Sequence, residues 1–138
     1  MVLIDGRIRS RGALRVIAAL CGLVAVALGA FGAHALRSTL AGLATVDTWN
    51  TASLYHLVHS AVLLCIALAR PKALLSFWLF LAGIVLFSGS LYVYSVTGLK
   101  AVAMAAPVGG MCLMAGWLAL AFPKRSGSES SGPGATQS

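Results

Sequence analysis

Residues 16–36 read VIAALCGLVAVALGAFGAHAL, an uncharged run held between Arg15 and Arg37. A helix needs about 20 consecutive apolar residues to cross the hydrocarbon core of a bilayer, and this run is long enough. It does not alternate in polarity, so it does not fit a strand of a membrane barrel. The same pattern recurs down the chain. Asp47 and Arg70 bracket a second run, Lys72 and Lys100 a third, and Lys100 and Lys124 a fourth. The sequence therefore predicts four transmembrane helices, at about 14–36, 48–69, 74–97 and 101–122. In lipid, helices satisfy every backbone group within the segment, which open strands and loops cannot do.

Composition agrees. The chain has 138 residues, 59% apolar and 9% charged, and a mean hydropathy of +0.93. Soluble domains are about half apolar and about a quarter charged. A soluble fold of this length lacks the interior to hide so much apolar surface. The connections are short: Arg37 to Asp47, Arg70-Pro71-Lys72, and Thr97 to Lys100. Pro71 is a poor continuation of a helix. Sequential spans should then pack antiparallel, and the fold class is an all-α integral membrane four-helix bundle. Residues 1–13 form a basic arm, expected to be loose or to lie on anionic headgroups. Residues 124–138 form a Ser/Gly-rich tail whose composition predicts disorder.

Charge sets the orientation. Arg7, Arg9, Arg11, Arg15, Arg70, Lys72, Lys124 and Arg125 fall on one side of the membrane, and only Arg37 and Lys100 on the other. The positive-inside rule therefore predicts both termini inside. Ala33-His34-Ala35 resembles a signal-peptidase site, but the apolar stretch before it exceeds the usual 7–15 residues or so of a signal peptide. Leu20 before Cys21 does not fit a lipoprotein signal. The arm carries Asp5 and little Ser, unlike a transit peptide. A bacterial plasma (inner) membrane is expected, with a mitochondrial membrane as the alternative. The basic residues only punctuate apolar runs, so no nucleic-acid partner is expected.

With this orientation the polar residues gather near the outer level of the bundle. His56 and His59 share a helix face, with Tyr55 and Ser60 beside them. Span 1 brings His34, and span 3 brings Ser88, Ser90 and Tyr92. A polar face inside a membrane turns toward the bundle interior. Neutral histidines hydrogen-bonded across helices are the plainer expectation, and metal or haem ligation or proton relay the sharper one. A same-face histidine pair is a weak ligand signal. Cys21, Cys65 and Cys112 have no metal or redox spacing. No metal and no cofactor is therefore expected. No carboxylate falls within the spans as bounded above, which removes the group that small four-span drug exporters require.

Small residues mark the expected close contacts: Gly29 and Gly32 in span 1, with Ala18, Gly22 and Ala25; Gly83 and Gly89 in span 3; Gly109, Gly110 and Gly116 in span 4. Gly29→Leu is expected to disrupt folding. Pro107 cannot bond Ala103 and should kink span 4.

Several motifs occur in order: Gly29-Ala-Phe-Gly-Ala-His34, Trp49-x-Thr51-Ala52-x-x-Tyr55-x-x-x-His59, Leu86-Phe-Ser-Gly-Ser-Leu-Tyr92, Thr97-Gly98, Pro107-Val-Gly-Gly110 and Gly116-Trp117. Together, over roughly Leu14 to Phe122, the chain resembles the small membrane family catalogued as domain of unknown function 423, which includes bacterial inner-membrane proteins and a mitochondrial relative. The resemblance implies a four-helix membrane protein and no cleaved signal, and it supplies no activity. His56 stands where relatives often have Gln, and Ala106 where Thr is expected. No nucleophile–base–acid set is present. The expectation is a non-enzymatic accessory or assembly protein, with the lipid bilayer and a membrane-protein partner or a second copy as its contacts. A small oligomeric transporter or channel and a haem- or metal-binding protein are the alternatives.

Overall fold

A computed structural model describes residues 2–70 and 73–122, with side chains from residue 12 onward. Helix α1 covers Val2–Ala33, α2 Arg37–Gly42, α3 Val46–Ala69 and α4 Leu74–Gly83. A π-helical stretch, Ile84–Gly89, follows α4 without a break and leads into α5, Ser90–Thr97. Helices α6, Lys100–Ala103, and α7, Ala106–Ala121, complete the order. Four segments are long and apolar enough to cross a membrane: Gly12–Ala33, Val46–Ala69, Leu74–Thr97 and Lys100–Ala121. The predicted spans agree with these to within three residues at each end.

Several local expectations change. The backbone of the arm from Val2 is helical and continues α1. The first connection is not a bare loop: α2 lies in it and seats the buried Leu40. Asp47 falls inside the second span as the structure bounds it, in the first turn of α3. A negative charge is favoured there, beside the unpaired amides of a helix start. The third span is not uniformly α-helical. The fourth is interrupted by a turn at Met104-Ala105 between α6 and α7, with Pro107 in the first turn of α7, where its missing N–H costs nothing. The Thr97-Gly98 turn forms as expected: Gly98 takes φ 71° and its N–H caps the Tyr94 carbonyl. Ala73 N donates to the Arg70 carbonyl at 2.9 Å. Pro71 and Lys72 between them, and the tail at 124–138, lie outside the described residues.

Spans 1 and 2 form one antiparallel hairpin, spans 3 and 4 another, and the hairpins meet through spans 2 and 3. Burial follows this order. The inner pair, spans 2 and 3, are each 39% buried over their most apolar stretch, against 17% for span 1 and 22% for span 4. The flanking spans therefore leave most of their surface to lipid.

The core divides along the membrane normal. At the terminal end, where spans 1 and 3 begin and spans 2 and 4 finish, Leu14, Ala18, Leu63, Ile66, Ala67, Phe77, Phe80, Ile84 and Leu113 pack together. At the other end, which holds the α2 loop and the Gly98 turn, Leu40, Trp49, Ala52 and Tyr92 form a second cluster.

The small residues sort by face. Ala18, Ala25 and Gly32, seven apart, turn toward span 2 and are buried. A methyl group at Gly32 would overlap the Trp49 indole, and one at Gly109 would overlap the Phe87 backbone. Gly83 and Gly116 are tight against Leu113 and Phe80. Gly29 is different: a side chain there would meet nothing within 4 Å, and the same holds at Gly22 and Gly89. The expected packing role of Gly29 therefore does not hold within the chain. It sits just off the contact stripe, where a shift of one face decides between helix and open space.

Candidate functional site

The polar residues of the middle and the loop end resolve into two knots. In the first, Tyr92 Oη donates to Ser53 Oγ at 3.3 Å and lies 3.5 Å from His56 Nδ1. Tyr92 also meets the Trp49 indole edge-on, with ring centroids 4.6 Å apart. Trp49 Nε1 donates across to the Leu28 carbonyl of span 1 at 3.1 Å. Thr45 Oγ1 ties the loop to span 3 through the Ser95 carbonyl at 2.7 Å. One connected set of side chains thus joins spans 1, 2 and 3.

The second knot is His59. Its Nδ1 lies 2.8 Å from the Tyr55 carbonyl, four residues back on the same helix. Trp117 Nε1 donates to its Nε2 at 3.3 Å. A carbonyl can only accept and an indole N–H can only donate. His59 is therefore a neutral imidazole with its proton on Nδ1, and both nitrogens are used. Phe80 and Tyr55 pack against its ring.

The two histidines serve different neighbours: His56 meets Tyr92 of span 3, His59 meets Trp117 of span 4. They share a helix face without converging on a common ligand position. His34 does not join them. It stands exposed on the turn between α1 and α2. Among the described residues no three His, Cys, Asp or Glu side chains come together as a metal group. Ser90 Oγ turns back to the Phe87 carbonyl at 3.0 Å. Ser88 Oγ and Ser60 Oγ are buried with no partner among the described residues. Tyr55 is partly exposed and packs its ring on Phe87. Gly110 and Pro107 line the start of α7 rather than a polar site.

Four participants were not singled out from the sequence as site residues: Trp117, Trp49, Thr45 and Ser53. Counted from Lys100, where span 4 begins, Trp117 lies about 25 Å along, at the depth of the apolar half. Counted from Ala106, where α7 starts, it lies about 16 Å down its helix, against about 20 Å for His59 along α3. The break in span 4 hid this match. An indole N–H in an apolar segment is the signal that could have found both tryptophans, because a buried donor needs an acceptor.

A cleft of about 380 Å³ opens between span 1 and span 3. Leu20, Cys21, Val24 and Leu28 form one wall, Leu81, Ile84, Val85 and Gly89 the other, with His56 and Tyr92 between them.

The family model described as "Protein of unknown function (DUF423)" matches residues 28–110. The chain is 37% identical over 109 residues to the UPF0382 membrane protein YwdK of Bacillus subtilis, covering 75% of this chain and 88% of that one. It is 41% identical over 108 residues to the UPF0382 inner membrane protein YgdD of Escherichia coli K12, covering 74% of this chain and 81% of that one. A Staphylococcus saprophyticus UPF0382 membrane protein is 35% identical over 109 residues, covering 76% of this chain and 90% of that one. No solved structure matches. With four apolar spans, a family model matched over residues 28–110 and relatives named as membrane and inner-membrane proteins, the chain is a multi-pass membrane protein that belongs to the DUF423 family, whose function is unknown.

Proposed function

We propose that this chain is a non-enzymatic accessory or assembly protein of the inner membrane, with both termini on the cytoplasmic side, that holds a membrane-protein partner or a second copy against span 1. One observation carries the reading. Span 1 is buried over only 17% of its most apolar stretch, and Gly22 and Gly29 on it meet nothing within 4 Å. Helices associate in lipid where small residues allow close approach, and these two glycines leave that approach open to an incoming helix. The arrangement of the interior supports a structural role. His59 uses both its nitrogens internally, and below it Leu63, Ile66, Phe77, Phe80 and Leu113 close the bundle. A polar lane across the membrane, which a transporter or channel needs, would have to pass through that packing.

The test is co-purification from gently solubilised membranes, with the native chain and with Gly22→Leu/Gly29→Leu. A reproducible partner or dimer with the native chain, lost in the double variant at unchanged thermal stability, supports the reading. No partner, or one retained by the variant, overturns it. A reporter active only outside the cytoplasm, fused after Phe122, should stay silent.

A further inference from the structure

The cleft between spans 1 and 3 has a chemistry that the packing role does not use. Its walls are apolar, and its volume of about 380 Å³ falls at the lower end of ligand-sized cavities, about 300–1,000 Å³. The side chains that line it carry no charge. Two lining residues carry polar atoms with no hydrogen-bond partner among the described residues, the weakly polar thiol of Cys21 and Nε2 of His56, and only Nε2 is a strong hydrogen-bonding group. His56 itself is only 6% exposed.

The hydrogen bonds next to it fix what Nε2 needs. Tyr92 Oη gives its proton to Ser53 Oγ. Its oxygen lies 3.5 Å from His56 Nδ1; with the phenol proton directed at Ser53, Nδ1 is left as the donor of that pair, and a neutral imidazole protonated on Nδ1 presents Nε2 as a bare acceptor. An acceptor left dry in hydrocarbon costs about 1–3 kcal/mol, so a hydroxyl donor is the complement. Depth narrows the class further. His56 is ten residues into α3, about 15 Å along the helix, close to the middle of a hydrocarbon core of about 30 Å. A charged headgroup at that depth is costly. An uncharged hydroxyl on a long apolar tail can reach it.

We propose that this cleft binds an uncharged membrane lipid alcohol, its tail along Leu20, Val24 and Val85 and its hydroxyl donating to His56 Nε2. The π turn is what shapes the wall. Ile84, Val85 and Gly89 all belong to it, and Gly89 leaves its side open. Wide turns of this kind inside α-helices recur at binding sites.

The test uses the full chain in phosphatidylcholine nanodiscs, with a diazirine-tagged long-chain isoprenoid alcohol as probe. Its methyl ether and a diazirine-tagged phosphatidylcholine are the comparison arms. Labelling should fall on the peptides holding Leu20–Leu28 and Leu81–Gly89 and be competed by the untagged alcohol. The ether should label about tenfold less, as should His56→Phe with the alcohol, the factor that about 1.4 kcal/mol gives. Val85→Trp, on the exposed rim, and Gly89→Leu should abolish labelling while the melting temperature holds. Equal labelling by the ether would mean that the cleft reads only apolar shape. Equal labelling by phosphatidylcholine would mean that an ordinary acyl chain fills it. Disulfide linking of two copies through Cys21 would mean that a second copy does. Any of these overturns the proposal. Scoring on the purified chain keeps the result separate from the search for a partner.

Discussion

The terminal-end half of the bundle and its loop-end half are held by different means. At the terminal end, Phe77, Phe80, Leu63 and Leu113 fill space, and two glycines, Gly83 and Gly116, give way to Leu113 and Phe80. At the loop end, Trp49 reaches the Leu28 carbonyl, Thr45 the Ser95 carbonyl, and Tyr92 reaches Ser53. In lipid an apolar contact gains little over a contact with a tail, so shape carries the first half. Shape alone leaves register loosely specified among similar apolar residues. The directional bonds of the second half tie three spans and a loop to one set of heights. One half supplies close contact, and the other supplies alignment.

That contrast can be broken at its joint. Gly109 lets α7 approach the Phe87 backbone, and a backbone cannot yield as a side chain can. Gly109→Ala should cost about 3 kcal/mol and appear as a sharp fall in the detergent melting temperature. Gly32→Ala meets the Trp49 ring instead and should cost about 2 kcal/mol, with Trp49 fluorescence shifting as the ring moves outward. Gly29→Leu, three residues away, should leave melting unchanged. Equal loss at both sites would erase the distinction between the packed and open faces of span 1.

Finer tests sharpen the comparison. Ser88 Oγ is buried without a partner, so Ser88→Ala should raise stability by about 1 kcal/mol. A loss instead would mean that the hydroxyl has a partner in the membrane. The His59–Trp117 bond links spans 2 and 4 as a single neutral contact. A double-mutant cycle of His59→Phe and Trp117→Phe should give a coupling of about 0.6 kcal/mol, read from unfolding in mixed micelles.

The spans were legible because charges fall only at their ends, from Arg15 to Lys100 and beyond. The stripe of Ala18, Ala25 and Gly32 was legible as spacing. Which neighbouring glycines lie off it was not, because span 1 is apolar on every side and no polar residue marks the lipid face. The Tyr92–His56 contact followed from matching depths. The His59–Trp117 contact did not, because the break before Ala106 changes the count. The straying of His34 from the cluster has a similar cause: helix α1 ends at Ala33, so the residue that the motif carries falls on a turn.

The π turn at Ile84–Gly89 has a consequence for how this chain tolerates insertions and deletions. At about 100° per residue, an unbroken α-helix would set Tyr92 about 120° around from Phe80. A wide turn absorbs about one residue of that rotation, and Phe80 and Tyr92 both end up facing inward. Loss of a single residue between Ile84 and Gly89 would let the segment relax to α-helix without any change in hydropathy. The span would then still be long enough to cross the membrane, with the phase of its two ends preserved. An added residue has no such outlet: it would swing Tyr92 out of line with Trp49 and His56 while leaving the hydropathy profile untouched. Length variation in this family should therefore be asymmetric at this segment, with shortening accepted and lengthening refused.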